Sequence, residues 1–370
     1  MSDTMAEGSG PTAPDRAPAP RKRWRWVAVI VVLLVAGAAA ATWALVRERT
    51  TTPYRAFEGD EQFVDIPAGA SAPEIGRRLI DAGIIRDELT FRLALWRAGE
   101  AHLLRAGEYR FDRPMTPLEV VDKIHRGDVH QYRVTFPEGL IIPEMAALFE
   151  ARGLGTAESF AEAAADPSPV SAFDDRAQDL EGYLFPETYS LPRDVPASRL
   201  VRLMVDRFED AFPHELREAV AARGLTVREA VTLASLVEKE TARDDERPVV
   251  AAVYLNRLRI GMPMQADPTV IYALRQADRY ENNNIRRQDL AFDSPYNTYR
   301  YPGLPPGPIA APGRASLEAV AHPADVEYLY FVSRNDGSHE FAATLAEHNR
   351  NVRRYQVQYF REQRRRNEAE

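Results

Sequence analysis

Cysteine is absent from all 370 residues. That excludes disulfides, thiolate metal sites and a cysteine nucleophile. The seven histidines, at 102, 125, 130, 214, 322, 339 and 348, form no HExxH and no cluster with metal-ligand spacing. No GxGxxG or GxxxxGK(S/T) run follows a strand-like segment, so there is no nucleotide signature. No GxSxG elbow is present. A net charge of −8 speaks against nucleic acid as a partner. No metal and no cofactor is expected.

What is present is ordinary globular material, 45% apolar and 28% charged, in a chain long enough for two domains. The ends of that material differ. Residues 1–20 are rich in Pro, Ala, Gly and Ser and read as a disordered tail. The basic cluster RKRWRW at 21–26 then precedes an apolar run over 27–46. About 20 residues at 1.5 Å each span roughly 30 Å, the thickness of a bilayer core. Trp24, Trp26 and Trp43 stand where interfacial aromatics belong. The expectation is an uncleaved single-pass anchor over 21–49, with residues 1–25 cytoplasmic and the bulk exported. The competing reading is a signal peptide cut near the small residues AGAAAA at 36–41.

Past the anchor, FVDIP at 63–67 alternates like a strand and turns into a helix over 73–82. A second helix is expected over 88–97 and a strand over 106–111. Thr116 and Glu119 make a capping box for a third helix. The pattern strand, Pro-x-Gly turn, helix, glycine stop recurs: Phe63, Pro67, Ile75, Leu79 and Gly83 are echoed by Tyr132, Pro137, Met145, Leu148 and Gly153. The βααβ layout over 60–153 resembles a LysM module, which would bind amino-sugar polymers; a plain spacer is the other reading. Residues 180–189, LEGYLFPETY, gather aromatics around a Gly and a Pro. Residues 294–313 hold six prolines and cannot be regular structure. A loop of that length in a compact domain is ordinarily functional or disordered, and its Tyr and Asn content argues for order. A hairpin is expected from 328–332 and 339–341 across the turn at 335–337. A last helix is expected over 344–366.

The stretch 225–242, LTVREAVTLASLVEKETA, reads as a helix ending in two glutamates. Val227, Ala230, Val231, Leu233, Ala234, Leu236 and Val237 fall on one broad apolar face. At about 100° per residue, Lys239 points away from it, while Glu238 and Glu240 each stand at one border. A carboxyl at such a border is partly desolvated and its pKa rises. A general acid for sugar chemistry needs that, because a free Glu near pKa ~4.3 is ionised at neutral pH. Raising it to about 6 takes roughly 2–3 kcal/mol of differential environment. Helix geometry does not choose between the two.

Six segments in order resemble the endolytic murein transglycosylase (MltG or YceG-like) family. They are LASLVEKET at 233–241, VYLNRL at 253–258, MQADPTVIY at 264–272, YNTY at 296–299, GLPPGPI at 303–309 and AHPA at 321–324. The resemblance covers about 180–350 and implies a mixed α+β catalytic domain over 154–366 with long ordered loops. It implies that Glu240 is the catalytic acid. It implies cleavage of the β-1,4 bond between N-acetylmuramic acid and N-acetylglucosamine, leaving a 1,6-anhydro end. Asn256, Gln265, Asp267, Tyr296, Asn297 and Tyr299 are then substrate-binding residues, with Glu181 and Glu238 supporting. Implied partners are peptidoglycan strands, the cytoplasmic membrane through residues 27–46, and peptidoglycan synthases. Two readings compete: a non-catalytic cell-wall scaffold, and a two-carboxylate hydrolase using Glu240 with Asp267.

Overall fold

A computed structural model describes residues 21–99, 104–193, 195–280 and 284–367; the tail expected at 1–20 lies outside them. The architecture is mixed α+β and begins with one apolar helix, α1 (Arg21–Thr51). It is the one helix among the described residues long and apolar enough to cross a bilayer. Its apolar side chains are exposed. The chain divides into two compact units, Met1–His130 and Gln131–Glu370.

After α1, the first unit contains β1 (Gln62–Ile66), α2 (Ala72–Asp81), α3 (Glu88–Ala98), β2 (Gly107–Phe111) and α4 (Pro117–Arg126). β1 and β2 pair antiparallel, Val64 opposite Tyr109. Alternation along β1 sends Val64 and Ile66 inward. There they meet Ile75 and Leu79 of α2, Phe91 and Leu95 of α3, and Val120, Val121 and Ile124 of α4. The capping box read from Thr116 and Glu119 is formed.

The second unit contains β3 (Tyr132–Thr135), α5 (Ile142–Ala151), α6 (Ala157–Ala164), β4 (Thr188–Leu191), α7 (Ala197–Ala211), α8 (His214–Ala221), α9 (Val227–Glu240), α10 (Arg247–Arg259) and α11 (Asp267–Gln276). It ends with α12 (Arg314–Ala321), β5 (Tyr330–Ser333), β6 (His339–Ala342), α13 (Leu345–Val352) and α14 (Tyr359–Asn367), the last two joined by a π-helical stretch, Arg353–Gln358. The hairpin expected near 328–341 is β5 with β6, Tyr330 opposite Ala342.

The echo between the two strand–helix segments is real locally. Gly69 and Gly139 both turn with positive φ, 79° and 75°, ahead of α2 and α5. The division of the chain is not the one expected at 153, however. β3 pairs with β4, more than 50 residues on, through Tyr132 opposite Leu191. β3 and α5 therefore belong to the second unit. Local pattern sets the hairpin-like segment; which strand it finds depends on where apolar residues can be buried together.

α9 is the centre of the second core. Ala230, Val231, Leu233, Ala234, Leu236 and Val237 are all buried. Thr226 and Glu229 form a capping box at its start. The helix also carries a polar row, which explains the long proline-rich loop. Arg228 Nε donates to the Pro306 carbonyl at 2.8 Å. Ser235 Oγ accepts the Ile309 amide at 3.0 Å. Glu238 Oε2 accepts the Gly313 amide at 3.0 Å and the Ser316 hydroxyl at 2.7 Å. Residues 228, 235 and 238 lie within an arc of about 80° on a helix. The loop backbone, having no ladder of its own, is stitched to that row.

Gly182 marks a close approach beneath this loop. Its φ is +83°, and a Cβ there would lie 2.4 Å from Pro308 Cβ and 3.1 Å from Val231 Cγ1. Gly182→Ala is expected to cost about 1–3 kcal/mol or more, from backbone strain and from displacing the loop. A fall in the urea midpoint with faster proteolysis within 300–313 would show it. An unchanged midpoint would mean the loop is not packed as described.

Candidate active site

α9 and α10 form a short hairpin of helices. This brings Tyr254, fourteen residues on, against the end of α9. Tyr254 OH donates to Glu240 Oε1 at 2.7 Å. Two residues past Glu238, Glu240 is about 160° round the axis from it. It faces away from the loop-stitching row. Burial pushes the Glu240 carboxyl up to about 7. The Tyr254 hydrogen bond opposes this, Asp267 adds to it, and His339 and Arg257 oppose it. Burial and the neighbouring Glu240 hold the Tyr254 phenol well above its ordinary range, so it remains a donor.

Around this carboxyl stand groups from four other elements. Asp267 begins α11 and accepts the Tyr299 hydroxyl at 2.6 Å. Arg257 of α10 is buried, with Nε donating to the Leu329 carbonyl at 2.6 Å and its Nη1 to the Met264 carbonyl. His339 of β6 meets Glu246 through Nδ1 at 2.7 Å. Glu246 also accepts the His339 amide at 2.9 Å and the Thr241 hydroxyl at 3.3 Å. A closed ring of contacts results: Glu240, Tyr254, Phe331 at 6.0 Å, His339 at 5.4 Å, Glu246, and Thr241 next to Glu240.

Gln265 is exposed and holds φ +49°, a left-handed conformation uncommon for glutamine. Such strain costs about 1–3 kcal/mol and persists where the surroundings impose it. Here they do: Thr298 Oγ1 accepts the Ala266 amide at 3.0 Å and lies 2.9 Å from Thr269 Oγ1. Segments 264–267 and 296–299 are thus clamped together.

The other residues singled out from sequence go elsewhere. Asn297 is fully buried; its amide donates to Leu290 and Phe292 carbonyls and accepts the Tyr299 amide. Asn256 donates to the Val326 and Tyr328 carbonyls. Both amides are already engaged with the main chain. Tyr296 packs its ring on Tyr272 at 4.9 Å and lines a cavity of about 780 Å³ with Phe173 and Arg228. Glu238 forms a buried ion pair with Arg247 at 3.4 Å. The sequence reading passed over Tyr254, Arg257, Glu246 and His339. Tyr254 and Arg257 lie inside a quoted motif, VYLNRL, so their signal was present; nothing local marks His339 or Glu246.

Glu181 is buried under α5, accepting the Ile142 amide at 3.2 Å and facing Tyr272 OH at 3.5 Å. It lines a cavity of about 610 Å³ with Asp179, Tyr272 and Arg275. Burial raises its pKa from 4.5 to about 8. A raised folded-state pKa makes stability greatest below the unfolded value and loses it as pH climbs. The window is therefore about 4.5 to 8, with a loss of order a few kcal/mol. Glu181→Gln should flatten the decline of melting temperature between pH 5 and 8. An unaltered decline would sink that assignment.

Chemically the arrangement offers one carboxyl raised to about 7 and held by a phenol, beside an exposed loop, and such a group can give and take a proton near neutrality. The chain resembles known proteins over most of its length. The YceG-like family model matches residues 64–354. An endolytic murein transglycosylase of Bacillus subtilis (strain 168) is 30% identical over 308 residues, covering 79% of this chain and 84% of that protein. One from Streptococcus pneumoniae serotype 2 is 29% identical over 323 residues, covering 78% and 57%. The chain thus spans little more than half of the pneumococcal relative. The crystal structure of a YceG-like protein of Listeria monocytogenes matches with TM-score 0.55 at 30% identity, over 79% of this chain and 98% of that one. This chain belongs to the YceG-like family.

Proposed function

We propose that the protein is a membrane-anchored lytic transglycosylase that cuts peptidoglycan glycan strands internally at the N-acetylmuramic acid–β-1,4–N-acetylglucosamine bond. The observation that carries this is the Glu240 carboxyl, raised to about 7 by burial at the end of α9. One carboxyl of that kind serves both halves of the reaction. Protonated Glu240 gives its proton to the glycosidic oxygen as the C1–O bond breaks. The 6-hydroxyl oxygen of the same muramic acid then bonds to C1, and its proton returns to Glu240. The sugar closes into the 1,6-anhydro form with no water consumed. Ordinary glycosidases need a second carboxylate to attack or to activate water.

Asp267, held by Tyr299, supports positive charge at the anomeric carbon, and Gln265 orients the sugar from its exposed loop. Asn256, Asn297, Tyr296 and Glu238 act by holding the loops that present those groups. α1 anchors the chain with its N-terminus in the cytoplasm and the bulk in the extracytoplasmic space. The LysM-like unit binds or follows the glycan. The enzyme acts on nascent strands alongside peptidoglycan synthases and sets their length.

The test is the product. Purified glycan strands digested by the full chain should yield anhydro-ended fragments by mass spectrometry. Fragments heavier by one water would instead support the two-carboxylate hydrolase. Binding without cleavage would support the scaffold reading.

A further inference from the structure

α3 is apolar on two opposite sides. Thr90, Phe91, Ala94 and Leu95 enter the core of the first unit. Leu89 and Trp96, seven residues apart and so on one line of the helix, face away from it. Leu89 is 53% exposed and Trp96 75%. Leu93 lies partly exposed beside them, and Arg92 is exposed on the same side. A helix apolar all round is ordinarily buried all round; this one is covered on one side.

Its place in the unit indicates what covers the other. Asp87, just before α3, meets Arg49 at 3.5 Å, and Arg97, near its end, donates to Thr50 Oγ1 at 2.9 Å. Both ends of α3 therefore touch the same turn of α1. Eleven residues of helix span about 16 Å, so α3 crosses the axis of α1 rather than running along it. Trp43 lies seven residues before Thr50, about 10 Å down the helix. It is exposed, with Arg47 over its ring.

We infer that α3 lies flat on the bilayer surface, with Leu89 and Trp96 set into the interfacial layer and Arg86, Arg92 and Arg97 among lipid headgroups. The inference rests on the reading that α1 spans the membrane. With Trp43 at the boundary of the hydrocarbon, α3 sits at the level of the headgroups, within reach of a tryptophan side chain. Basic residues flanking an apolar stripe suit anionic lipid. The unit is thereby fixed to the membrane along a second element, which sets its tilt as a single helix cannot.

The experiment uses the full chain in vesicles of anionic and zwitterionic phospholipid brominated near the top of the acyl chain. One variant keeps Trp96 alone (Trp24, Trp26 and Trp43→Phe); another keeps Trp43 alone. The expected result is at least twofold quenching of Trp96 by bromine, together with weaker quenching by aqueous acrylamide than in detergent. Trp96 open to acrylamide and untouched by bromine, with Trp43 quenched, would overturn the inference while leaving the anchor intact. Neither tryptophan quenched by bromine would overturn the anchor reading and this inference with it. Trp96 shielded from both quenchers would mean that protein, not lipid, covers the stripe, and would also overturn it.

Discussion

Replacing Glu240 with Gln is expected to leave a folded protein whose cleavage of glycan strands is slower by about 10²–10⁴-fold. That range is what a positioned general acid or base contributes. The upper end is expected because, in the proposed reaction, the same carboxyl carries the proton in both directions. Glutamine fills the same space and can accept the Tyr254 hydroxyl, so the α9–α10 contact survives. The sign with pH follows from the value near 7. In the proposed reaction Glu240 starts protonated, so wild-type kcat/KM should fall about tenfold per pH unit above roughly 7. Whatever residual rate the variant has should lack that limb. Folding stability moves the other way: above pH 7 the variant should melt no lower than the parent, since it has no buried carboxyl to ionise. Rates measured from pH 6 to 9 decide this. A variant within tenfold of wild type would remove Glu240 from the chemistry.

Arg247→Met is expected to give the largest loss of stability. Arg247 and Glu238 are each only 6% exposed in their side chains, 3.4 Å apart. Glu138 lies 3.8 Å from the same guanidinium, and Asp244 also pairs with it. Burial, and Glu238 beside it, already push the Glu138 carboxyl up. Removing the cation that pairs with all three leaves the buried Glu238 carboxylate beside Glu138 without a counter-charge from Arg247. Breaking a buried pair from one side costs about 3–5 kcal/mol. For a unit of this size that is a fall of roughly 6–20 °C in melting temperature, at 2–4 °C per kcal/mol. Glu238→Gln should cost less, because the amide oxygen can still accept from Gly313 and Ser316 while Arg247 keeps its other partners. The double variant should recover much of the loss. Urea midpoints at constant slope give the comparison; a loss below about 1 kcal/mol for Arg247→Met would mean the pair is solvated.

Together the two substitutions separate residues that are alike on paper. Glu238 and Glu240 share a type, a helix end and a border of the same apolar face. One is consumed by Arg247, Gly313 and Ser316. The other keeps one donor, Tyr254.

What was legible in the sequence was local. Apolar spacing marked α9, capping residues marked the start of α4, and the turn at 335–337 marked the β5–β6 hairpin. These depend on interactions between residues a few positions apart, which the order of side chains states directly. The apolar length of α1 was legible for the same reason. The carboxyl suited to acid catalysis was narrowed to two by helix geometry and to one by family resemblance.

Only the tertiary structure decided the rest. β3 found β4 across more than 50 residues, so the unit boundary fell at 130 rather than 153. Asn256 and Asn297 spent their amides on carbonyls of segments far along the chain or bent back on themselves. His339 came within electrostatic reach of Glu240 from 99 residues away through a hairpin, and Glu246, at a helix start, came beside His339 and Thr241. A sequence places each side chain on its own element's axis. Which donors and charges the neighbouring elements bring to it is set by packing, and that packing leaves Glu240 with one donor while Glu238 is held by three groups.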